Sequence, residues 1–194
     1  MTKLFLISLL ALSFTSISQT LKYDIATSKG EKIGDMVVVK TSHDDLIEIK
    51  VVSKVKSRIF VEIEVKYIGQ VIYKNNRLHY SRVTTYVNDQ VHNITTTINK
   101  GNYYTINKDG NIFKYHKPIY FSGMLLFFKE PNFISHLYSE ANAYDNTIKL
   151  INKGVYQLTD PHTHGHNQYY YKNGRLYKAS IKHGFISFEY ILKP

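Results

Sequence analysis

Three histidines spaced two residues apart form the pattern in this sequence that most resembles a metal site. They lie in the stretch PHTHGHNQYYYKNGRLY, which contains His162, His164 and His166. On an extended strand, residues two apart share a face with Cα atoms about 6.5–7 Å apart, so their imidazoles can converge on one metal ion. Residues four apart are separated by about 13 Å, so all three can bind one ion only from a curled loop, which Pro161 and Gly165 permit. The residues of a suitable kind for a further ligand are His183, Asp160 and His136.

The same stretch also has an interpretation without metal. Asn173-Gly174 tolerates the positive φ values of a tight hairpin turn, which predicts that residues 169–171 and 176–180 are two paired strands. The histidines would then occupy a solvated loop before the hairpin, with imidazoles that are mostly neutral at pH 7. From the sequence, both interpretations stay open.

Other signatures of catalysis are missing from the sequence. The chain has no cysteine, which excludes thiol nucleophiles, cysteine-type zinc sites and iron–sulfur clusters. Ser139 lacks the flanking glycines of a nucleophile elbow, and no P-loop, dinucleotide-binding or HExxH motif occurs. Glu130 and Glu140 are of the kind that glycosidases use as an acid–base pair, but carboxylates in loops more often serve as surface charges or caps. We therefore favour a protein that is not an enzyme and that needs no cofactor.

The first residues have the three-part pattern of a secretory signal peptide. A lysine precedes the apolar residues 4–14, and Ser16 and Ser18 place small side chains where a signal peptidase cleaves. We predict that residues 1–18 are removed, which leaves one domain over residues 19–194. No cysteine lies near this site, so the protein is not expected to be a lipoprotein, and its predicted location is the periplasm or the exterior of the cell. An N-terminal anchor helix or an ordinary buried helix is the alternative.

The charge of the chain does not indicate nucleic-acid binding. The formal net charge is +10, but the lysines are scattered and form no long run. Arginines, whose planar fork recognises phosphates and bases, are few: Arg58, Arg77, Arg82 and Arg175. Loose attraction to anionic envelope surfaces is the consequence that we favour. No segment after the first is apolar for long enough to cross a bilayer.

Period-two alternation of apolar and polar residues dominates the rest of the chain. Residues 59–67 read IFVEIEVKY, Ile47, Ile49 and Val51 alternate with charged neighbours, and residues 186–192 repeat the pattern. Turn signals separate these runs at Lys74-Asn-Asn76, Asn88-Asp89, Asp109-Gly110 and Asn173-Gly174. The pattern predicts about ten to thirteen antiparallel strands. We therefore expect an all-β protein, with a strongly curved sheet or partly open β-barrel and a short helical or irregular cap.

Residues 118–128, PIYFSGMLLFF, interrupt the alternation and are the most apolar segment after the N-terminus. They are compatible with a short helix, a buried strand or a cap over one end of the sheet. The chain also carries 17 tyrosines and 10 phenylalanines, which suit both an ordinary core and an amphipathic wall. We hypothesise that the concave face of the sheet holds an apolar or lipid-like ligand behind this segment. The residues expected to contact that ligand are Tyr120, Phe121, Met124, Phe127 and Phe128.

Two segments of the chain are similar to each other. YKNNRLHY at residues 73–80 and YKNGRLYK at residues 171–178 share an aromatic residue, a turn and Arg-Leu, and NKDGNIFKY at residues 107–115 is a looser copy. We interpret these segments as hairpins that use the same turn chemistry rather than as a structural repeat.

Several short motifs follow one another in an order that resembles a known family. They are Gly30 and Gly34 after a first strand, Phe128-Lys-Glu-Pro131, Tyr138-Ser-Glu140 and Tyr171-Lys-Asn-Gly174. This layout resembles a family of uncharacterised exported bacterial proteins that is classed as a domain of unknown function, and the resemblance implies no known activity. At greater distance, the order of strands is similar to the half-barrels of periplasmic lipoprotein carriers, which hold acyl chains on a concave apolar face.

The function that we favour from the sequence is an exported, non-enzymatic envelope protein that binds an apolar or lipid-like ligand or a partner surface. The alternative is a metal-binding protein or metal-dependent hydrolase built on the histidine loop. A third interpretation is a structural envelope component without a small-molecule ligand.

Overall fold

A computed structural model describes residues 16–57, 63–183 and 186–194 of the chain. Two predictions fall partly outside these residues, namely the signal peptide of residues 1–18, of which 1–15 are not described, and the strand of residues 59–67, of which 59–62 are not described. The described residues form one antiparallel sheet of 14 strands. In chain order, β1 to β14 are Ile17–Thr27, Lys32–His43, Leu46–Ser57, Ile63–Lys74, Arg77–Val87, Gln90–Asn99, Tyr104–Lys108, Asn111–Tyr115, His136–Ser139, Tyr144–Asn152, Val155–Thr159, His166–Lys172, Arg175–His183 and Ile186–Leu192.

Most strands pair with their neighbours in sequence, and β1 also pairs with β14. The order therefore runs from β8 down to β1, continues at β14 and ends at β9, so that β8 and β9 are the two edges. Two-residue turns with positive φ at both positions join several of the strands: Asn75-Asn76, Asn88-Asp89, Asp109-Gly110 and Asn173-Gly174. This backbone is that of the hairpin turns whose twist matches paired strands, and it confirms the turns predicted from the sequence.

The two edges of the sheet are brought together by side chains and not by a strand ladder. The Tyr115 hydroxyl donates to Asp145 Oδ1 at 2.6 Å, and Lys117 Nζ lies 3.1 Å from Asp145 Oδ2. The hydroxyls of Thr97 and Tyr138 are 2.8 Å apart across the same seam. The sheet is thus strongly curved and barrel-like but not closed, which confirms the predicted fold class.

Alternate residues of the strands face one continuous core. In β3, Ile49 and Val51 are buried while Lys50 is exposed, and Phe188 and Tyr190 of β14 pack against the core, as the alternation predicts. The bulkiest fully buried side chains are those of Tyr23, Tyr73, Tyr104 and Tyr138. Tyrosines therefore fill much of the interior, and each buried hydroxyl needs a partner.

The segment that interrupts the alternation contains a short 3₁₀ helix, Gly123–Phe127, which is the minor helical addition expected to the all-β fold. The region after it contains the short strand β9. Among the described residues, no helix combines the length and the hydropathy needed to span a bilayer.

Candidate ligand-binding site

Residues 118–128, which we call the covering segment, place most of their apolar side chains in the interior of the barrel-like sheet. Met124, Leu125 and Leu126 of its 3₁₀ helix are buried. Gly69 of β4 faces this helix, because a Cβ at residue 69 would collide with the methyl group of Met124. The covering segment therefore belongs to the core, since the sheet provides a fitted space for its side chains.

A buried carboxyl group anchors the start of the covering segment. Glu140 Oε1 accepts hydrogen bonds from the Ser122 hydroxyl at 2.5 Å and from the Met124 backbone N–H at 3.0 Å. A Cβ at Gly123 would lie 2.9 Å from Glu140 Oε2, so a larger residue at position 123 would displace the carboxyl group. Burial raises the pKa of Glu140 above its ordinary value, because the charged form loses its hydration.

The two similar hairpins hold the covering segment at both of its ends. In the first hairpin, the Tyr73 hydroxyl donates to Ser122 Oγ at 2.8 Å. In the second, the Tyr171 hydroxyl donates to the carbonyl oxygen of Leu126 at 2.7 Å. Burial raises the pKa of both tyrosines, so both hydroxyls remain protonated donors.

The structure distributes the five predicted ligand-contacting residues over three environments. Phe121 and Met124 are buried in the core, whereas Tyr120 is 62% exposed on the outside. Phe127 and Phe128 are half-buried at the end of the covering segment, where it leaves the interior. Phe127 and Phe128 line an open depression together, whereas the other three residues lie in the core or on the outside, so the predicted set does not form one site in this structure.

The depression has a volume of about 200 Å³ and lies between the covering segment, β1 and the turn that joins β12 to β13. We call it the Phe128 cleft, and the residues that line it are Gln19, Leu21, Phe127, Phe128, Asn173, Gly174 and Arg175. A second depression outside the same turn shares Asn173 and Arg175 with it. Arg175 therefore lines both depressions.

The Phe128 cleft combines aromatic surface with positive charge. The ring of Phe127 packs against Tyr23 and Tyr190, with centroid distances of 5.6 and 6.4 Å. Lys40 Nζ lies 5.2 Å from the centre of the Phe128 ring, a distance at which a cation is attracted to the ring face. Arg175 takes part in no ion pair within the described residues, so its guanidinium is available to an anionic group.

The sequence alone did not identify Arg175 or Lys40 as part of a site. Arg175 belongs to the second of the similar hairpins, and its counterpart in the first is Arg77. Arg77 Nε donates to the Tyr104 hydroxyl at 3.0 Å, and its guanidinium lies over the Tyr104 ring. The signal in the sequence was therefore the repeated Arg-Leu after each turn, but only the packing shows which arginine is left without a partner.

The histidines of the predicted metal site point to different neighbours. The His162 ring meets Tyr144 edge-on at a centroid distance of 4.4 Å, and His166 Nδ1 lies 3.0 Å from Thr159 Oγ1. His164 is exposed and adopts a positive φ of 56°. No group of three or more His, Cys, Asp or Glu side chains is arranged to hold a metal ion in residues 16–57, 63–183 and 186–194.

The residues considered as further metal ligands have other partners or lie outside the description. Asp160 accepts hydrogen bonds from the Tyr144 hydroxyl at 2.6 Å and from the backbone N–H of His162 at 2.8 Å. Burial opposes the ionisation of Asp160, but these hydrogen bonds outweigh it and lower its pKa. His136 Nδ1 lies 2.9 Å from Ser135 Oγ, and the side chain of His183 is outside the described residues. Metal binding by the loop stays a prediction, which elemental analysis of the wild type and of His162→Ala would test.

Comparisons with known proteins give a fold and a family. No curated protein matches the sequence. A solved structure with a similar fold is that of a beta-barrel-like protein of Domain of Unknown Function DUF1849 from Brucella abortus. The two chains share 10% sequence identity with a TM-score of 0.58, over 93% of this chain and 98% of the other, and at that identity the likeness concerns the fold alone.

Residues 23–193 match the family described as Domain of unknown function (DUF6134). That match spans most of the chain, and it bears out the resemblance of its short motifs to an uncharacterised family, so this protein belongs to the family DUF6134.

Proposed function

We propose that this protein is an exported, non-enzymatic binding protein of the cell envelope, and that it holds an anionic amphiphile at the Phe128 cleft. The observation that carries the proposal is the half-buried pair Phe127 and Phe128 beside the unpaired guanidinium of Arg175. Export is supported by the signal-peptide pattern of residues 1–18.

An anionic headgroup on an apolar chain fits both halves of this cleft. A guanidinium presents a planar fork of N–H donors that matches a carboxylate or a phosphate. The phenylalanine rings and Leu21 provide the apolar side, which contacts the first methylene groups of a chain. Lys40 adds a second cation beside the Phe128 ring.

The ligand is proposed at the margin of the interior rather than at its centre. Met124, Leu125 and Leu126 are already buried in the interior, and hydrogen bonds with Glu140, Tyr73 and Tyr171 hold the covering segment there. A cleft of about 200 Å³ is smaller than the roughly 300–1,000 Å³ of a site that encloses a drug-sized ligand. It therefore takes the headgroup and the start of the chain, while the rest of the ligand lies along the surface.

Isothermal titration of the mature protein with dodecanoate, below its critical micelle concentration, tests the proposal. We expect saturable binding that weakens by roughly tenfold in Arg175→Ala, because a charge-assisted hydrogen bond contributes about 1.5–3 kcal/mol and this one is partly exposed to solvent. Phe128→Ala is expected to weaken binding through lost apolar contact. Dodecyltrimethylammonium, which has the same chain and the opposite charge, is expected to bind more weakly than dodecanoate.

Arg82→Ala is the matched control, because Arg82 is an exposed arginine on β5 that does not line the cleft. It is expected to bind dodecanoate like the wild type. Absence of a dodecanoate signal, together with only the apo mass in native mass spectrometry of detergent-free protein, would refute the proposed function. Equal losses in Arg175→Ala and Arg82→Ala would show that net charge, and not the cleft, binds the probe.

A further inference from the structure

Phe133 is the most exposed of the large apolar side chains in the described residues, with a relative accessibility of 107%. It lies in the connection between the covering segment and β9, at a positive φ of 64°. Bulky side chains rarely adopt this conformation, since it brings Cβ close to the backbone. Strained backbone of this kind clusters at functional sites, so Phe133 is a candidate contact residue.

The connection holds Phe133 in place from both sides. Before it, Asn132 Oδ1 lies 2.6 Å from the Tyr156 hydroxyl. After it, the carbonyl oxygen of Ser135 accepts the backbone N–H of Ile148 at 2.9 Å. The ring is therefore presented to solvent by a backbone that is fixed on each side.

Two more exposed apolar residues belong to the same surface. The Ser135 carbonyl oxygen is bonded to Ile148 of β10, and Asn132 contacts Tyr156, which is the strand partner of Leu150, so the connection that carries Phe133 runs beside the end of β10. Leu150 and the adjacent Ile151 are 60% and 42% exposed. We call these three residues, Phe133, Leu150 and Ile151, the Phe133 patch.

Exposed lysines flank the residues of the Phe133 patch along the chain. Lys129 precedes it in the connection, Lys149 is next to Leu150, and Lys153 begins the turn after β10. None of the three forms an ion pair within the described residues. Glu130, the acidic residue of the connection, is partly buried, and its carboxyl group is bonded to the Tyr156 hydroxyl.

We propose that the Phe133 patch docks the protein onto an anionic lipid bilayer. Aromatic and aliphatic side chains at a tip enter the boundary between headgroups and acyl chains, while lysines beside them pair with anionic headgroups. A protein partner fits less well, because three side chains at a tip offer far less than the roughly 800 Å² per partner of a standard interface. This surface is separate from the Phe128 cleft, so the inference does not depend on the proposed function.

Cosedimentation with large unilamellar vesicles tests the proposal. The mature protein is expected to sediment with vesicles of phosphatidylglycerol and phosphatidylcholine at 50 mM NaCl, and much less at 300 mM NaCl or with phosphatidylcholine alone. Phe133→Ser is expected to reduce the partition coefficient roughly tenfold or more, because the ring no longer leaves water. Lys149→Gln and Lys153→Gln are expected to reduce it roughly fivefold each.

Ile112→Ser is the matched control, because Ile112 is 70% exposed on the edge strand β8 and lies outside the patch. It is expected to sediment like the wild type, and circular dichroism of each variant verifies that the sheet is intact. Failure of the wild type to bind the anionic vesicles at 50 mM NaCl overturns the proposal. So does equal binding by Phe133→Ser, or a wild-type dimer in light scattering that Phe133→Ser converts to a monomer. Dodecanoate binding by Phe133→Ser should remain, which separates this outcome from that of the cleft.

Discussion

Replacing Glu140 by leucine is expected to destabilise the protein more than any other single change of a carboxylate. Leucine is similar in volume but cannot accept the hydrogen bonds from the Ser122 hydroxyl and the Met124 N–H. Each buried donor left without an acceptor costs about 1–3 kcal/mol, so Glu140→Leu should lose roughly 2–6 kcal/mol. Domains of this kind have a total free energy of unfolding of about 5–15 kcal/mol, so the loss is a large share of it.

Urea unfolding followed by circular dichroism measures this loss as a lower midpoint at an unchanged slope. Glu189→Leu is the control, because Glu189 is half-buried on the outer face of β14, where it forms an ion pair with Lys178 at 2.7 Å and accepts a hydrogen bond from the Ser180 hydroxyl at 3.2 Å. Breaking such a surface pair costs about 0–1 kcal/mol. If Glu140→Leu lost no more than Glu189→Leu, the carboxyl group would not be the anchor of the covering segment.

The same carboxyl group gives the stability a characteristic dependence on pH. Because the folded state raises the pKa of Glu140, the folded state binds its proton more tightly than the unfolded chain does. Its contribution to stability is therefore complete below the ordinary pKa of about 4.3 and is lost as the pH rises through the raised value. Glu140→Gln cannot titrate, so the difference in unfolding free energy between wild type and variant should change with pH above this point. A difference that is constant from pH 4 to pH 9 would contradict the raised pKa.

Three further predictions concern the sheet and its surface. Gly34→Ala should lower the urea midpoint strongly, because the new Cβ would meet the backbone carbonyl oxygen of Lys54 in the paired strand, and an unchanged midpoint would contradict this packing. Gly174→Ala should cost only about 1–2 kcal/mol, since its φ of 71° is strained for alanine but its surroundings are open, and a loss as large as that of Gly34→Ala would contradict this. Asp35 is ionised at neutral pH, because a hydrogen bond from Lys193 lowers the pKa of its carboxyl group to about 2. The contribution of the Asp35 carboxylate to stability is present above its ordinary pKa and is lost as the pH falls through about 2. In Asp35→Asn the unfolding free energy should therefore depend less on pH in this acid range than in the wild type, and an equal pH dependence would contradict the lowered pKa.

Most of the fold was predictable from the sequence because its signals are local. Alternation such as that of Ile49 and Val51 fixes which face of a strand is buried, and turns such as Asn173-Gly174 fix which strands pair. The pairing of β1 with β14 has no such signal, because it joins the two ends of the chain. The prediction of a curved, barrel-like sheet was confirmed, whereas the order of its 14 strands came only from the structure.

The candidate site was less predictable, because its residues are selected by packing over long sequence distances. Composition identified the covering segment, but it could not show that Met124 fits against Gly69 while Phe128 remains at the surface. The sequence presented Glu140 as a possible acid or base, and the structure places it in the core as an acceptor for the covering segment. Its role depends on its distance from Ser122, which lies 18 residues away in the chain.

The two similar hairpins explain how one turn sequence serves two purposes in this barrel. Tyr73 and Tyr171 have the same role, since each hydroxyl holds one end of the covering segment. Both hairpins also carry the same irregularity, because the strand after each turn has one extra residue opposite the tyrosine, His79 in the first hairpin and Tyr177 in the second. The arginines that follow the turns differ, because Arg77 is bonded to Tyr104 whereas Arg175 borders the cleft.

Arg77 is therefore expected to affect stability and Arg175 to affect ligand binding, and one pair of variants tests this difference. Arg77→Ala removes a hydrogen bond and a cation–π contact with Tyr104, so it should lower the urea midpoint and leave dodecanoate binding unchanged. Arg175→Ala removes a guanidinium without an ion-pair partner in the described residues, so it should weaken dodecanoate binding and leave the midpoint nearly unchanged. If both variants lost stability and neither lost binding, the second arginine would also be structural, and the Phe128 cleft would lack the charge that its proposed ligand requires.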